Sequence, residues 1–176
     1  APLPLKPYVR DAKFRLGEKL FLDTNLSGHR DRSCATCHRA GVAMANAATL
    51  EPRLAVSTGL EPDIPARNVP DLWNRDHNNV STMLWDGRLE AIAATGDRFH
   101  MPETLGTTSD FENLMALQSV RPIFIPVEML GEPGGANDLA PDAGKKPVPE
   151  LVLGRLPQRL FAYSQSDVDA QTAYQD

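Results

Sequence analysis

The chain has 176 residues, of which 41% are hydrophobic, and this is sufficient for a single domain with its own core. The formal net charge is −5 and there is no polybasic run, which argues against binding to nucleic acid or to an anionic membrane surface. No apolar stretch is long enough to span a bilayer. The chain begins with the segment APLPLKPYV, which we interpret as a processed or trimmed amino terminus rather than a signal peptide.

The first predicted element is a helix from about Asp11 to Leu22, with Asp11 as its N-cap. Phe14, Gly17 and Phe21 recur at a spacing of three to four residues, so they share one face of this helix. Because glycine has no side chain, we expect another helix to approach this face closely at Gly17.

The next feature is the run SCATCH, which holds both cysteines of the chain, three positions apart, with a histidine directly after the second. This Cys-x-x-Cys-His spacing is typical of covalent attachment of a c-type haem. Cys34 and Cys37 would form thioether bonds to the vinyl groups, and His38 would ligate the iron from the proximal side. We therefore predict one covalent haem c at residues 34–38.

Three other chemistries use neighbouring cysteines, and each lacks a feature that it needs. A structural zinc site takes four ligands, usually two Cys-x-x-Cys pairs, but the chain has only two cysteines. A thioredoxin-like redox pair lies in a parallel βαβ setting, which is not found nearby. A disulfide between Cys34 and Cys37 would be strained and would leave His38 without a role.

The middle of the chain is predicted to be rich in loops. Residues 40–70 contain four prolines, which indicates a loop. Residues 71–94 are predicted to be helical or mixed, and residues 95–110 are a turn-rich interruption. Strand signals are weak throughout, so the predicted fold class is mostly α, with long loops.

The last third of the chain begins with a predicted helix over Phe111–Leu117. Residues 132–149 contain few bulky apolar side chains, which predicts an exposed loop and makes 131–149 a candidate linker. Residues 149–176 offer two short helical pieces. The second of these begins at Ser166, with Asp169 completing a cap-like pair.

Beyond the haem motif, the chain resembles the bacterial di-haem cytochrome c peroxidase family. Five segments match in the family's order and cover most of residues 16–131: LGEKLFLDTNLS, SCATCH, RNVPDLWN, LWDGRLE and ALQSVRPIFIPVEMLG. The family includes the MauG-like branch, which oxidises a protein substrate to mature a tryptophan-derived quinone cofactor. The resemblance implies that residues 1–176 are one cytochrome-c-like helical haem domain, the amino-terminal, peroxide-reacting half of a larger di-haem enzyme.

The resemblance also implies which residues act on peroxide. Family members place a glutamine and a glutamate ten positions apart on the open side of the reactive haem, and Gln118 and Glu128 match them within the distal segment 115–131. Splitting peroxide needs a base that takes a proton from one oxygen and returns it to the other, with a polar partner that orients it. Glu128 is therefore the expected acid–base group and Gln118 the positioning group. Without the family, a carboxylate such as Glu128 is usually a surface residue.

Two further residues match family positions. Trp85, in LWDGR, matches a tryptophan between the two haems, which implies a role in carrying electrons. The alternative is an indole buried in the core, with Asp86 and Arg88 as a local ion pair. Asn68 matches the position of a calcium ligand between the haem domains, although an asparagine in a loop is more often a turn former.

The chain also departs from the family pattern. Many members have a loop histidine that blocks the iron until activation, but residues 39–67 contain no histidine. Met44 is the candidate sixth ligand in this window, although a methionine in an apolar run is more often a core residue. Arg121 stands where a glycine is common. The remaining histidines lie in polar, loop-like contexts and are predicted to be solvated: His29, His77 and His100.

A second haem would need a second Cys-x-x-Cys-His motif, and the chain has no further cysteine, so we expect that haem in a companion chain or a missing carboxy-terminal domain. The predicted function is a periplasmic, peroxidase-like oxidoreductase that reduces hydrogen peroxide. Its electrons would come from the second haem or from a protein donor such as a small cytochrome or cupredoxin. Two alternatives stay open, a mono-haem electron-transfer protein and an enzyme that oxidises a protein substrate.

Overall fold

In the computed structural model, the described residues are 10–42, 44, 69–73, 75, 80–92, 99–101, 106–108, 111–142, 152 and 154–159. The helices there are α1 (Ala12–Leu22), the single turn α2 (Cys34–Cys37), α3 (Leu114–Val120) and a helical segment at residues 154–159. Short 3-10 turns follow α1 and α2, at Thr24–Leu26 and Ala40–Val42. Among these residues, no helix has both the length and the apolar character that a membrane span requires.

The predicted first helix is confirmed. Helix α1 begins after Asp11, whose carboxylate accepts a hydrogen bond from the Phe14 N–H at 2.8 Å and so satisfies a donor that the helix leaves open. Phe14 and Phe21 are half-buried. At Gly17, however, a Cβ atom would have no neighbour within 4 Å. The described residues therefore do not make the close helix approach that was expected there.

The segment after the proline-rich region forms a small sheet. Four strands pair antiparallel in sequence order: β1 (Thr82–Met83), β2 (Leu89–Ala91), β3 (Phe99–Met101) and β4 (Gly106–Thr108). Strands of two or three residues are too short to show alternating hydrophobicity, so the sequence pattern did not reveal them. Residues 71–94 were predicted to be helical or mixed, and the helical alternative is wrong at β1 and β2. The predicted turn-rich interruption at 95–110 contains β3 and β4, so the mostly α class is correct only in part.

Two separate groups of buried apolar side chains involve α3 and the turns after it. The first, which we call the sheet cluster, consists of Met83, Leu89, Phe99, Leu114 and Leu117. The second, the turn cluster, consists of Leu26, Ile123, Phe124, Met129, Leu130, Leu139, Ala140, Val152 and Leu156. Val120, at the end of α3, packs against the turn cluster, and so does Cys34. The predicted helix at 111–117 is present, although its helical residues are Leu114–Val120.

The start of the candidate linker is not an exposed loop. In residues 132–142 the side chains of Asn137 and Leu139 are fully buried. Asn137 Nδ2 donates to the carbonyls of Leu130 and Glu132 at 2.8 and 2.9 Å, and its Oδ1 accepts from the Ala140 N–H at 3.1 Å. One amide side chain thus satisfies several backbone groups, which composition alone could not predict. Residues 143–149 lie outside the described part of the chain.

The predicted helical piece near the end is present at residues 154–159, whereas Ser166 and Asp169 lie outside the described residues. Its last described residue, Arg159, is buried and donates to the carbonyls of Asn25 at 2.9 Å and of Gly28 at 3.0 Å. Burial, together with the charge of Arg30, lowers the pKa of Arg159 to about 10. Arg159 also pairs with Asp138. This residue therefore ties the carboxy-terminal helix to the loop that leads into the haem motif.

Gly28→Ala is expected to destabilise the fold. The Gly28 N–H donates to the Met129 carbonyl at 2.9 Å, and a Cβ here would lie 1.8 Å from the Leu130 carbonyl oxygen. Because that oxygen belongs to the backbone and cannot rotate away, the loop at Gly28 would have to move away from the turn at Met129 and Leu130. Overpacking of this kind lowers the free energy of unfolding by about 1–3 kcal/mol or more. Urea unfolding measures the change. Gly17→Ala is the control, since a Cβ at Gly17 would have no neighbour within 4 Å. An equal urea midpoint for the two variants would contradict the prediction.

Candidate functional site

The two cysteines lie on one short, capped turn. The Ser33 N–H donates to Thr36 Oγ1 at 3.0 Å, and the His38 N–H donates to the Cys34 carbonyl at 2.9 Å. Residues three positions apart share one face of a helical turn, so Cys34 and Cys37 lie on the same side of α2. Their sulfurs are not joined in a disulfide.

The surroundings of the thiols do not favour a redox pair or a zinc site. Burial raises the pKa of the Cys34 thiol, and the neighbouring Cys37 acts in the same direction. Redox-active and zinc-binding cysteines need a stabilised thiolate, which is the opposite effect. In the part of the chain that the structure describes, no three His, Cys, Asp or Glu side chains cluster in a way that could hold a bare metal ion.

His38 is arranged as a neutral ligand. Its Nδ1 lies 2.6 Å from the Met44 carbonyl oxygen, so Nδ1 carries the proton and Nε2 keeps its lone pair. Burial lowers the pKa of His38, against smaller opposing effects from the Met44 carbonyl, the Glu128 charge and the Pro70 carbonyl. The ring of Phe21 on α1 packs near the imidazole, with 6.4 Å between ring centroids.

Glu128 lies on a turn that is joined to the cysteine motif. A 3-10 turn (Arg121–Phe124) follows α3, and a π-helical turn (Pro126–Leu130) carries Glu128. Glu128 Oε1 accepts a hydrogen bond from Arg121 Nη1 at 3.0 Å, and the Glu128 carbonyl accepts one from Arg32 Nη1 at 2.9 Å. Arg32 stands two residues before Cys34. Glu128 is thus held between two arginines, close enough for its charge to act on His38.

Gln118 presents an unsatisfied acceptor beside this turn. Its Oε1 is buried and meets no donor among the residues that the structure describes. Its main-chain carbonyl accepts from the Arg121 N–H, so Gln118 and Arg121 are one turn apart. A buried acceptor without a donor costs about 1–3 kcal/mol, and a ligand with an O–H group would offset this cost. The structure therefore links Gln118 and Glu128 through Arg121.

The family model of the di-haem cytochrome c peroxidases matches residues 11–158. This chain belongs to that family. A curated relative, the cytochrome-c peroxidase IdrP2 of Denitromonas iodatirespirans, is 39% identical over 75 residues, which are 43% of this chain and 18% of that protein. The match therefore spans less than a fifth of the relative's length. No solved structure matches this chain.

The residues of this peroxidase-family chain fit the c-type haem that the family implies. Cys34 and Cys37 supply two thiols on one turn, and His38 supplies a neutral imidazole with Nε2 available. The buried Gln118 Oε1 and the partly buried Glu128 carboxylate supply polar groups of the kind that a peroxide pocket needs. The family to which the chain belongs is one of oxidoreductases of the cytochrome c peroxidase type.

The other predicted residues have mixed outcomes. Trp85, in the turn between β1 and β2, is 73% exposed, so the alternative of a buried core indole is wrong. The predicted pair of Asp86 and Arg88 is confirmed, at 3.2 Å between Oδ2 and Nη1. No hydrogen bond, ion pair or ring contact joins Trp85 to His38 within the described residues. The proposed calcium ligand Asn68 lies outside them.

Met44 contacts His38 through its backbone. Met44 has a φ of 61°, and its N–H donates to the Arg39 carbonyl at 3.0 Å. Its carbonyl oxygen accepts a hydrogen bond from Nδ1 of His38. His29 is exposed as predicted, with Nε2 3.1 Å from the Glu132 carbonyl, whereas His100 belongs to β3 and not to a loop. His77 lies outside the described residues.

Sequence reasoning missed the two arginines around Glu128. Arg121 was noticed only as a departure from the family, and Arg32 was not considered. A usable signal was present at Arg121, since it stands between Val120 and the largely apolar run PIFIP, where a charge must find a partner. No comparable signal marks Arg32, because its contact spans 96 positions.

Proposed function

We propose that this chain is the peroxide-reacting haem domain of a di-haem peroxidase and that it reduces hydrogen peroxide. Cys34 and Cys37 would hold the haem covalently, with His38 as its proximal ligand. The observation that carries the proposal is the partly buried Glu128, which lies within electrostatic reach of His38. The test is the reaction of the haem-loaded protein with stoichiometric hydrogen peroxide in a stopped-flow spectrometer. We expect a rapid spectral change, and an electron carrier with a filled coordination sphere would not give one.

The protein's contribution to the chemistry is to move protons. When bound, the haem supplies the electrons that cleavage of the oxygen–oxygen bond consumes. Glu128 accepts the proton from one oxygen of hydrogen peroxide and returns it to the other, which leaves as water. Gln118 Oε1 accepts a hydrogen bond from the peroxide and orients it. Complete reduction takes two electrons and two protons and yields two molecules of water.

The proposal leaves the sixth coordination position without a protein ligand. Met44 was the candidate for that position, but its carbonyl lies against Nδ1 of His38, whereas iron would bind at Nε2. The main chain of Met44 thus lies at the Nδ1 end of the imidazole, opposite to the Nε2 that would hold the iron. We therefore assign Met44 the role of orienting His38, and this favours a peroxidase over an electron carrier.

The electrons would enter through another haem. Trp85 is exposed at a hairpin turn, which suits a relay to a haem outside this chain, in a companion chain or a further domain. A small cytochrome or a cupredoxin would be the donor, calcium at Asn68 would lie between the haem domains, and the protein would act in the periplasm. Oxidation of a protein substrate is the second candidate, because an exposed indole also suits electron transfer with a docked protein.

Trp85→Phe is expected to lower steady-state turnover with a protein electron donor in the assembled di-haem enzyme. It should leave the direct reaction with peroxide unchanged, because Trp85 makes no described contact with His38 or Glu128. Trp73→Phe is the matched control, since Trp73 is similarly exposed, at 64%. Equal turnover for the two variants, or full turnover of this chain without the second haem, would contradict the relay.

A further inference from the structure

We propose that Arg121 is a positioning residue for proton transfer. It holds one carboxylate oxygen of Glu128 and leaves the other to accept and return the proton. The inference rests on the proposed function and adds to it a residue that the pairing of Gln118 with Glu128 does not include.

Arg121 is a buried cation whose backbone and side chain both make defined hydrogen bonds. It is 6% exposed and begins the 3-10 turn directly after α3, with its N–H bonded to the Gln118 carbonyl. Its Nη1 lies 3.0 Å from Oε1 of Glu128, seven positions later on the π-helical turn. A buried guanidinium costs free energy unless it is paired, so this contact keeps the distance between the two turns fixed.

The carboxyl group is held at one oxygen only. Arg32 binds the main-chain carbonyl of Glu128 and therefore does not occupy its carboxylate. Within the part of the chain that the structure describes, Oε2 accepts no hydrogen bond. Oε2 is thus the oxygen left to take up a proton, while Arg121 fixes the orientation of the group. Small errors in position are costly for such a group, since a displacement of about 1 Å lowers rates by about 10²-fold.

Two arginine pairs elsewhere in the described chain are much more exposed than the pair of Arg121 with Glu128. The pairs of Arg10 with Glu18 and of Arg75 with Asp71 are between side chains that are 41–58% exposed, where ion pairs contribute little. The Arg121 side chain is 8% exposed and its partner Glu128 is 30% exposed. The Glu128 carbonyl also accepts from Arg32, two residues before Cys34, so this pair lies beside the cysteine motif.

The experiment measures cyanide association with the ferric, haem-loaded protein by stopped flow. Hydrogen cyanide must give up its proton as it binds, so the rate reports the placement of the base without any turnover. We expect Arg121→Gln to slow this rate, and the rate with peroxide, by about 10–100-fold. Arg121→Lys should recover part of the loss, since it restores the charge but not the planar fork. Arg10→Gln is the control and should retain the wild-type rate.

A double-mutant cycle separates positioning from a purely structural role. In a Glu128→Gln background, Arg121→Gln should have no further effect on cyanide association, because its effect acts through Glu128. Additive effects, or an unchanged rate in folded Arg121→Gln, would overturn the inference. If Arg121→Gln does not fold, Arg121→Lys decides, since its rate must fall below that of Arg10→Lys. Normal peroxide reactivity in Glu128→Gln alone would instead overturn the proposed function.

Discussion

Glu128→Gln is expected to lower the rate of reaction with hydrogen peroxide by about 10²–10⁴-fold, the usual cost of losing a general acid–base group. Glutamine has nearly the same shape, and its carbonyl oxygen can still accept the hydrogen bond from Arg121, but it cannot take up a proton. The turn that would attach the haem does not include Glu128, so haem incorporation should stay at the wild-type level. Stopped-flow absorption after mixing with stoichiometric peroxide measures the rate.

The matched control is Glu132→Gln. Glu132 lies four positions further along, and its side chain is exposed. Its carbonyl, which the substitution preserves, contacts His29 and Asn137. We expect the wild-type rate for this variant. If Glu128→Gln also reacts at the wild-type rate, Glu128 is not the acid–base group, and the role of Arg121 is lost with it.

Replacing both Cys34 and Cys37 by alanine is expected to abolish covalent haem. These are the only cysteines in the chain, so no other thioether can form. Each single variant should keep one thioether, because the two sulfurs lie on one face of the same turn and each meets its own vinyl group. Intact mass under denaturing conditions counts the haems directly, and the wild-type chain should carry one.

Two results would contradict the attachment site. Covalent haem retained in the double variant would place the linkage elsewhere. A bound zinc ion in the wild-type chain, lost together with the cysteines, would favour the structural metal site.

The features that the sequence predicted correctly depend on local rules. Asp11 caps α1 through a contact three positions away, and the three-residue spacing of Cys34 and Cys37 places both on a single turn. The features that were missed depend on contacts between distant segments. The sheet forms from strands of two or three residues, and Asn137 is buried because the carbonyls of a neighbouring turn need a donor.

At the candidate site, too, local patterns were predicted from the sequence and contacts between distant segments were missed. The resemblance supplied Gln118 and Glu128 from their ten-residue spacing, but it gave no reason to consider Arg32, whose contact with the Glu128 carbonyl depends on tertiary packing. Met44 was considered for its sulfur, because side-chain chemistry can be read from sequence. Its carbonyl contacts His38 because the chain turns back at a left-handed φ, and no residue pattern here predicted that turn.

The central claim is that the haem of this chain has an open position for peroxide. The most direct test is the electronic absorption and EPR spectrum of the oxidised, haem-loaded protein as isolated, before and after addition of cyanide. With no histidine in residues 39–67 and the main chain of Met44 at the Nδ1 end of His38, the account predicts a largely high-spin ferric signal without reductive activation, and prompt conversion by cyanide. A purely low-spin signal with a methionine-to-iron charge-transfer band would contradict it and would make the protein an electron carrier.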